Sequence, residues 1–165
     1  MNEGVEAIGM ENLTVRRLRI DELLRLTELF DYRDVEAMLA ENSRRMKNGE
    51  IDIFCLFKGE RLVGELHAMY ANEDERMAVS GVRAYLFAFR VQESVQGNGY
   101  GKYLLNEVIK LLAKKGYHEF TVGVEDDNAR AIHIYKTFGF SELIARKQEE
   151  YQGCSYEYSL YLKQA

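Results

Sequence analysis

The segment that most constrains the fold is a glycine-rich turn, Q-G-N-G-Y-G at residues 96–101, which runs directly into K-Y-L-L-N-E-V-I-K-L-L. Three glycines in six residues allow tight backbone geometry and the close approach of a ligand. The preceding run A-Y-L-F-A-F-R-V (residues 84–91) is apolar at nearly every position, which predicts a central strand covered on both faces. The following residues place leucines and a valine on one face, which predicts a helix over residues 101–115. A strand, a glycine turn and a helix N-terminus together form a site that favours an anion.

The remaining predicted elements alternate along the chain in an order typical of one α/β domain. Asp21 predicts a capped helix over residues 23–30, and Asp34 predicts a second helix over residues 35–46. The sequence E-D-D-N caps a short helix over residues 129–138. Six further runs have the composition of strands: residues 12–19, 51–57, 61–70, 118–124, 141–147 and 155–162. We therefore expect a single α/β domain with a mixed sheet over residues 12–165, preceded by a flexible leader at residues 1–11.

Charge and cysteine content restrict the classes of protein to which the chain can belong. The formal net charge of -5 argues against a dedicated nucleic-acid binder and mildly favours cationic small molecules or basic peptides as partners. Cys55 and Cys154 lie far apart without a C-x-x-C spacing, which predicts reduced thiols instead of a disulfide or a metal site. No apolar stretch approaches membrane-spanning length, and residues 1–10 lack the features of a secretion signal. We expect a cytoplasmic protein without nucleic-acid or membrane partners.

Three types of glycine loop compete for the turn. The Walker loop, G-x-x-x-x-G-K-[ST], fails at both ends, because Gln96 replaces its first glycine and Tyr103 replaces its hydroxyl residue. The dinucleotide fingerprint G-x-G-x-x-G fails because Lys102 stands in place of its third glycine. The pattern Q-x-x-G-x-G is met at every position, by Gln96, Gly99 and Gly101. A turn in which the glycines serve only the backbone geometry is the remaining alternative.

The pattern Q-x-x-G-x-G resembles motif A of the GNAT superfamily of acetyl-CoA-dependent N-acetyltransferases. A second stretch resembles the other signature of that family, in which a strand precedes Asn128, the pair Ala131-Ile132, Tyr135 and a closing Gly139-Phe140. The two signatures stand at the separation that the family shows. Together they favour this family over the other glycine-loop proteins.

The resemblance implies a fold and an activity. Residues 12–19 are similar to the first strand of the family, so the resemblance covers residues 12–163. It implies a single-domain GNAT-like fold: a mixed, mostly antiparallel sheet of about seven strands with a central splayed parallel pair, flanked by about four helices. It also implies transfer of an acetyl group from acetyl-CoA, the co-substrate, without a metal. The acceptor would be the primary amine of a small molecule or peptide, which attacks directly in a ternary complex.

The resemblance also assigns residues to the coenzyme. In the family, the strands that splay apart hold the pantetheine arm, here residues 84–91 and 118–124. Main-chain groups of Phe89 and Val91 would bind it, and an N–H near Val91 would point at the thioester oxygen as an oxyanion hole does. Backbone amides of the glycine loop would hold the pyrophosphate; these belong to Gln96, Gly97, Asn98, Gly99, Tyr100, Gly101 and Lys102.

Two residues of the second signature have both a structural and a functional interpretation. Asn128 is either a helix N-cap or a contact to the pantetheine arm, and the two roles are compatible. Tyr135 resembles the family's usual proton donor to the coenzyme thiolate. The alternative for Tyr135 is a core aromatic on the helix face that carries Ile132 and Phe138.

The general base is less defined than the acid. Some family members place a glutamate eleven residues before the motif's glutamine, but that position is Tyr85 here. Glu65 on the neighbouring strand is the best remaining carboxylate, with Glu93 and a water relay behind it. An exposed strand residue is the alternative for Glu65. His67 and His133 could titrate near neutrality.

The sequence does not identify the acceptor amine. In such folds the acceptor site is built from residues that correspond here to 20–48, 71–82 and 149–154, and these match no pattern. Tyrosines of the tail are strand filler or the face of a homodimer; they are Tyr151, Tyr156, Tyr158 and Tyr161. A non-catalytic acyl-CoA-binding regulatory module is the alternative function. Tyr135 favours the enzyme, whereas Tyr85 in place of an acid leaves the binding module open.

Overall fold

The computed structural model of the chain describes residues 12–151 and 153–165. Its strands are β1 (Leu13–Arg17), β2 (Ile51–Lys58), β3 (Arg61–Met69), β4 (Arg83–Val91), β5 (Glu119–Glu125), β6 (Glu142–Tyr151) and β7 (Cys154–Gln164). They form one seven-stranded sheet in the order β1-β2-β3-β4-β5-β7-β6. Only β4 and β5 are parallel neighbours in this sheet. The predicted mixed, mostly antiparallel sheet is confirmed, and the predicted leader lies outside the described residues.

Helices cover both faces of the sheet. The described α-helices are α1 (Val35–Lys47), α2 (Tyr100–Lys114) and α3 (Ala129–Thr137), and 3-10 helices occupy Ile20–Glu28 and Glu93–Val95. The predicted cap of α1 is confirmed, because the Ala37 N–H donates to Asp34 Oδ1 at 3.0 Å. None of the described helices is long and apolar enough to cross a membrane.

The first predicted helix was wrong in type and in its cap. The segment is a 3-10 helix whose N-cap is Arg19, not Asp21. Its apolar residues recur every third position, at Ile20, Leu23 and Leu26, and a three-residue repeat places them on one face of a 3-10 helix. Leu23 and Leu26 are buried accordingly.

The last two strands are longer than predicted. They pair from Glu142↔Leu162 to Tyr151↔Cys154, as a hairpin that extends well beyond the apolar part of each strand. The extension contains polar residues such as Gln148 and Glu149, which are exposed and show no apolar alternation. Backbone pairing between the strands, instead of burial, maintains this part of the hairpin.

The sheet separates two apolar cores. On one face, Leu104, Leu105 and Val108 of α2 pack against the sheet. On the other face, the first 3-10 helix and α1 cover a second core, which contains Cys55 with none of its surface exposed. The prediction that Cys55 is a core residue is confirmed. Burial raises the pKa of its thiol far above the ordinary value.

Candidate active site

The parallel strands β4 and β5 separate within the sheet. They pair from Arg83↔Glu119 through Leu86↔Val122 and no further, although β4 continues to Val91 and β5 to Glu125. Backbone N–H and C=O groups of β4 and β5 that face the gap have no partner on the opposite strand there, which leaves room for a ligand to bind them. This is the splay that the sequence analysis predicted.

A bulge in β4 accompanies the splay. Glu65 pairs with Arg90 but His67 pairs with Phe87, so β4 has one residue more than β3 at this point. Ala88 lies inside the bulge with a φ of 52°. The extra residue inverts the alternation of side chains, so that Phe87 packs on the α1 side but Phe89 packs on the α2 side. A bulge also bends its strand, which accounts for the departure of β4 from β5.

The glycine turn joins the end of β4 to α2. Gly97 and Gly99 have φ values of 85° and 77°, and an added Cβ at either position would meet nothing within 4 Å. Two side chains hold the turn: Gln96 Nε2 donates to the Val91 carbonyl at 2.9 Å, and Asn98 Nδ2 donates to the Val95 carbonyl at 3.3 Å. The result is a fixed turn with open space beside its glycines.

The N-terminus of α2 faces this open space. Gly99 is the N-cap and offers no side-chain cap, so the first N–H groups of the helix are left for an anion. Lys102 is exposed on the first turn, whereas Tyr100 is buried in the core. Gly101 lies against β4, since its added Cβ would be 3.4 Å from the Phe89 ring and 3.6 Å from Val91 Cγ2.

Tyr135 stands on α3 beside the same part of β4. Its ring centroid lies 6.4 Å from that of Phe89 and 5.7 Å from that of Phe140. Its hydroxyl makes no hydrogen bond to any described residue. Burial raises the pKa of Tyr135 to about 12, so the phenol is protonated at neutral pH. Asn128 caps α3, because its Oδ1 accepts the Ala131 N–H at 3.1 Å, which confirms the structural role predicted for it.

Glu65 is not the exposed strand residue of the alternative interpretation. It has no exposed surface, and its two oxygens are engaged, one by Arg90 Nη1 at 3.1 Å and the other by His67 Nε2 at 2.8 Å. His67 is also buried, whereas Glu93 and His133 are exposed. The structure therefore joins Glu65 and His67 in one buried network.

The sequence analysis missed Arg90, which balances the charge of Glu65. The Arg90 guanidinium lies 3.8 Å from the centroid of the Phe30 ring and is about one-third exposed, at 36%. The available signal was the one arginine in the otherwise apolar run of residues 84–91. Among the described residues, no group of three or more His, Cys, Asp or Glu side chains is placed to hold a metal ion.

On the face of the sheet that carries Phe87, Tyr85 lines a cavity at the beginning of the splay. The Tyr85 ring stacks on the Phe87 ring at a centroid distance of 5.6 Å. Burial chiefly, and then Glu149 and Tyr135, raise the pKa of Tyr85 to about 12. The tyrosine that replaces the expected acid is thus protonated at neutral pH.

Comparison with known proteins identifies the family to which the chain belongs. No curated protein sequence matches the chain. Solved structures with a similar fold include yncA of Salmonella typhimurium, solved with its cofactor acetyl-CoA (19% identity over 93% of this chain and 94% of that chain, TM-score 0.67). Others are spermidine/spermine N-acetyltransferase SpeG of Vibrio cholerae (17% identity, 94% of both chains, TM-score 0.72) and ribosomal-protein-alanine N-acetyltransferase of Brucella melitensis (18% identity, 92% and 99%, TM-score 0.71). At these identities the likeness shows the fold alone. The model of the acetyltransferase (GNAT) family matches residues 17–140, so the chain belongs to this family of acetyltransferases, which use acetyl-CoA as co-substrate.

Proposed function

We propose that the chain is an N-acetyltransferase that moves the acetyl group of acetyl-CoA to a primary amine of a small molecule or peptide by direct attack in a ternary complex. The splay between β4 and β5 carries this proposal. The glycine turn and Tyr135 lie by the splay on the α2 side, and the cavity beside Tyr85 lies on the other face. Two substrates can therefore meet from opposite faces of the sheet.

The proposed coenzyme site uses mainly backbone groups. The N–H groups at Gly99, Tyr100, Gly101 and Lys102 would bind the pyrophosphate at the N-terminus of α2. Gly97 and Gly99 would leave room for it. The side chains of Gln96 and Asn98 would act indirectly, since both are already used to hold the turn.

The pantetheine arm would lie in the splay. Main-chain groups of Phe89 and the Val91 N–H would bind it there, because β4 has no β5 partner beyond Leu86 and the Val91 carbonyl already accepts a hydrogen bond from Gln96. An N–H in this stretch would stabilise the oxyanion that develops on the thioester. The Asn128 side chain would approach the arm with its amide N–H₂, since its Oδ1 already caps α3.

In the proposed reaction the neutral amine nitrogen bonds to the thioester carbon and the C–S bond breaks. The coenzyme leaves as a thiolate and receives the Tyr135 hydroxyl proton, while the amine proton passes to a base. No step needs an acetylated enzyme. Cys55 is buried in the core with a raised pKa, which makes it a poor nucleophile. Both cysteines are free thiols, which supports the proposal of a cytoplasmic location.

We keep Glu65 as the proposed proton acceptor, but in an indirect role. Because both of its oxygens are engaged, the amine proton would reach it through His67 or through water. Glu65→Gln should lower the turnover rate at neutral pH, because the amine proton would lose its acceptor. A pH–rate profile that is the same in the variant and the wild type would assign the proton to solvent.

One observation favours the second candidate, a non-catalytic acyl-CoA-binding module. The strand position of the usual acid holds Tyr85, and Glu65 is tied to Arg90. Release of coenzyme thiol from acetyl-CoA, measured with a panel of amines, separates the two candidates. An enzyme requires release that depends on both substrates. Binding of acetyl-CoA without release for any amine would establish the module instead.

The acceptor class of the proposal is supported by structural neighbours. They are named for spermidine and for ribosomal-protein alanine, which supports an amine acceptor but leaves its size open.

Tyr158 and Tyr161 of the tail are buried within the chain, whereas Tyr156 is 37% exposed. The strand-filler interpretation therefore holds for two of the tail tyrosines, and the homodimer remains a prediction.

A further inference from the structure

A cavity lies where β5 continues past the last pair that it makes with β4. Its volume is about 360 Å³, and its walls come from β4, β5 and the β6–β7 hairpin. The residues that form it include Tyr85, Gly123, Glu125, Glu149, Tyr156 and Tyr158. It therefore opens beside the splay that the coenzyme would occupy from the other face.

Gly123 lines this cavity at its end nearest the splay. A Cβ at this position would lie 2.8 Å from the Tyr85 hydroxyl oxygen and 3.0 Å from the Tyr158 ring. Gly123 directly follows Val122, the last β5 residue paired with β4. A residue without a side chain at this point therefore lets the Tyr85 hydroxyl and the Tyr158 ring pack directly against β5 where the strands separate.

Three carboxylates line the cavity without a cation from the chain itself. These are Glu125, Glu149 and Glu150. The Tyr158 hydroxyl donates to Glu149 at 2.8 Å, but no described lysine or arginine forms an ion pair with any of the three. Carboxylates of one sign in a concave site concentrate cations. The tyrosine rings add surfaces that attract an ammonium group and cover a methylene chain.

A second cavity continues the first one away from the splay. Its volume is about 490 Å³, and it shares Glu125 and Tyr156 with the first cavity. Its other acidic residues are Asp126, Asp127 and Glu157. The two cavities therefore form a row of carboxylates that begins at the splay and extends along the β6–β7 hairpin.

We propose that the acceptor is a linear primary amine with at least one further positive charge, that is, an amine of the polyamine class. This inference rests on the proposed function. The reacting nitrogen would lie at the end of the first cavity nearest the splay, next to the Tyr85 hydroxyl, and the methylene chain would pass along the tyrosine rings. A distal ammonium group would lie near Asp127 and Glu157. An acceptor with one charge would leave the carboxylates of the second cavity unmatched.

Three acceptors of equal chain length test the distal charge: α,ω-diaminooctane, octylamine and ω-aminooctanoate. The assay is the release of coenzyme thiol from acetyl-CoA by the whole chain at low ionic strength. We expect kcat/KM to fall roughly three- to tenfold from the diamine to the monoamine and again to the amino acid, as for partly exposed ion pairs. The differences should shrink with added salt, because salt screens exposed charges.

Charge-removing variants locate the distal site. The double variant Asp127→Asn with Glu157→Gln should raise KM for the diamine roughly three- to tenfold and leave KM for octylamine unchanged. Glu142→Gln is the control for the loss of a carboxylate outside both cavities, since Glu142 lies at the other end of β6. It should change neither constant. Melting curves of all variants establish that they are folded.

The outcomes separate this inference from the proposed function. A diamine preference that the double variant removes and the control keeps supports both. Equal kcat/KM for diamine and monoamine, a preference that the double variant does not change, or faster turnover of a lysine-rich peptide overturns the polyamine inference. In those cases acetyl transfer to an amine still stands. If no amine is acetylated although acetyl-CoA binds, both the proposed function and this inference are wrong.

Discussion

Replacing Tyr135 with phenylalanine removes one hydroxyl that the described structure does not use for its own stability. The ring packs between Phe89 and Phe140, and the variant keeps that ring. The hydroxyl makes no hydrogen bond to a described residue, so none is lost. The free energy of unfolding should therefore change by less than about 0.5 kcal/mol.

The effect on turnover should be far larger. If the hydroxyl protonates the coenzyme thiolate, turnover should fall roughly 10²–10⁴-fold, the usual range for a general acid, or about 2.7–5.4 kcal/mol of activation free energy. With a pKa of about 12, Tyr135 is the weaker acid by roughly 3.5 units against an ordinary thiol near 8.5. The transfer would cost about 5 kcal/mol if the thiolate were in water. Burial of the thiolate in the same site raises its pKa too and reduces this cost.

The assay compares acyl donors whose leaving thiols differ in acidity. The Tyr135→Phe loss should shrink with the more acidic thiol, because that leaving group needs less protonation. Tyr70→Phe is the matched control with the opposite pattern. It removes a hydroxyl that donates to Asp52 at 2.6 Å, so it should lose about 1 kcal/mol of stability and keep near-normal turnover. Near-normal turnover in Tyr135→Phe with both donors would refute the reasoning and make Tyr135 a packing residue.

Three further predictions concern the turn, the cavity and the pH dependence. Gly99→Asp should abolish coenzyme binding in calorimetry, whereas Gly99→Asn, which fits the same positive φ without the charge, should keep part of it. Equal affinities of the two variants would mean that the turn does not bind an anion. Gly123→Ala should destabilise the fold by roughly 1–3 kcal/mol in denaturant melts, since its methyl group would collide with Tyr85; an unchanged midpoint would contradict the packing. Arg16, chiefly through its hydrogen bond, lowers the pKa of Glu22 to about 2, below its unfolded value near 4.3. The stability that this pair adds is therefore present above about pH 4.3 and lost as the pH falls through 2. The difference in unfolding free energy between wild type and Glu22→Gln should shrink by about 1–2 kcal/mol over that window. A constant difference would mean that folding does not lower the pKa of Glu22.

Sequence patterns predicted those elements whose signals are local. The glycine turn, the cap by Asp34 and the apolar run of β4 each depend on residues within one short segment. The first 3-10 helix was predicted as an α-helix, because its three-residue repeat resembles the first positions of an α-helical pattern. The polar end of the β6–β7 hairpin was missed because backbone pairing, which leaves no compositional signal, holds it together.

The site residues that the sequence did not reveal depend on contacts between distant segments. Glu65 is buried only because Arg90, on the neighbouring strand, and His67 satisfy its oxygens. The bulge at Ala88 turns the Phe89 side chain to the other face of the sheet. Nothing in the sequence indicates this bulge, since alanine seldom adopts a positive φ. The acidic cavities arise from residues of β5, the turn after it, β6 and β7, which the sheet order brings together.

Mass spectrometry of the intact protein and of the amine tests direct attack in a ternary complex. The chain is first incubated with acetyl-CoA alone, and an amine is then added. The account predicts that the protein mass stays unchanged, that no coenzyme thiol is released at first, and that the acetyl group appears only on the amine after its addition. A stoichiometric burst of thiol with an acetylated protein before the amine is added, or an amine that never gains an acetyl group, would contradict it.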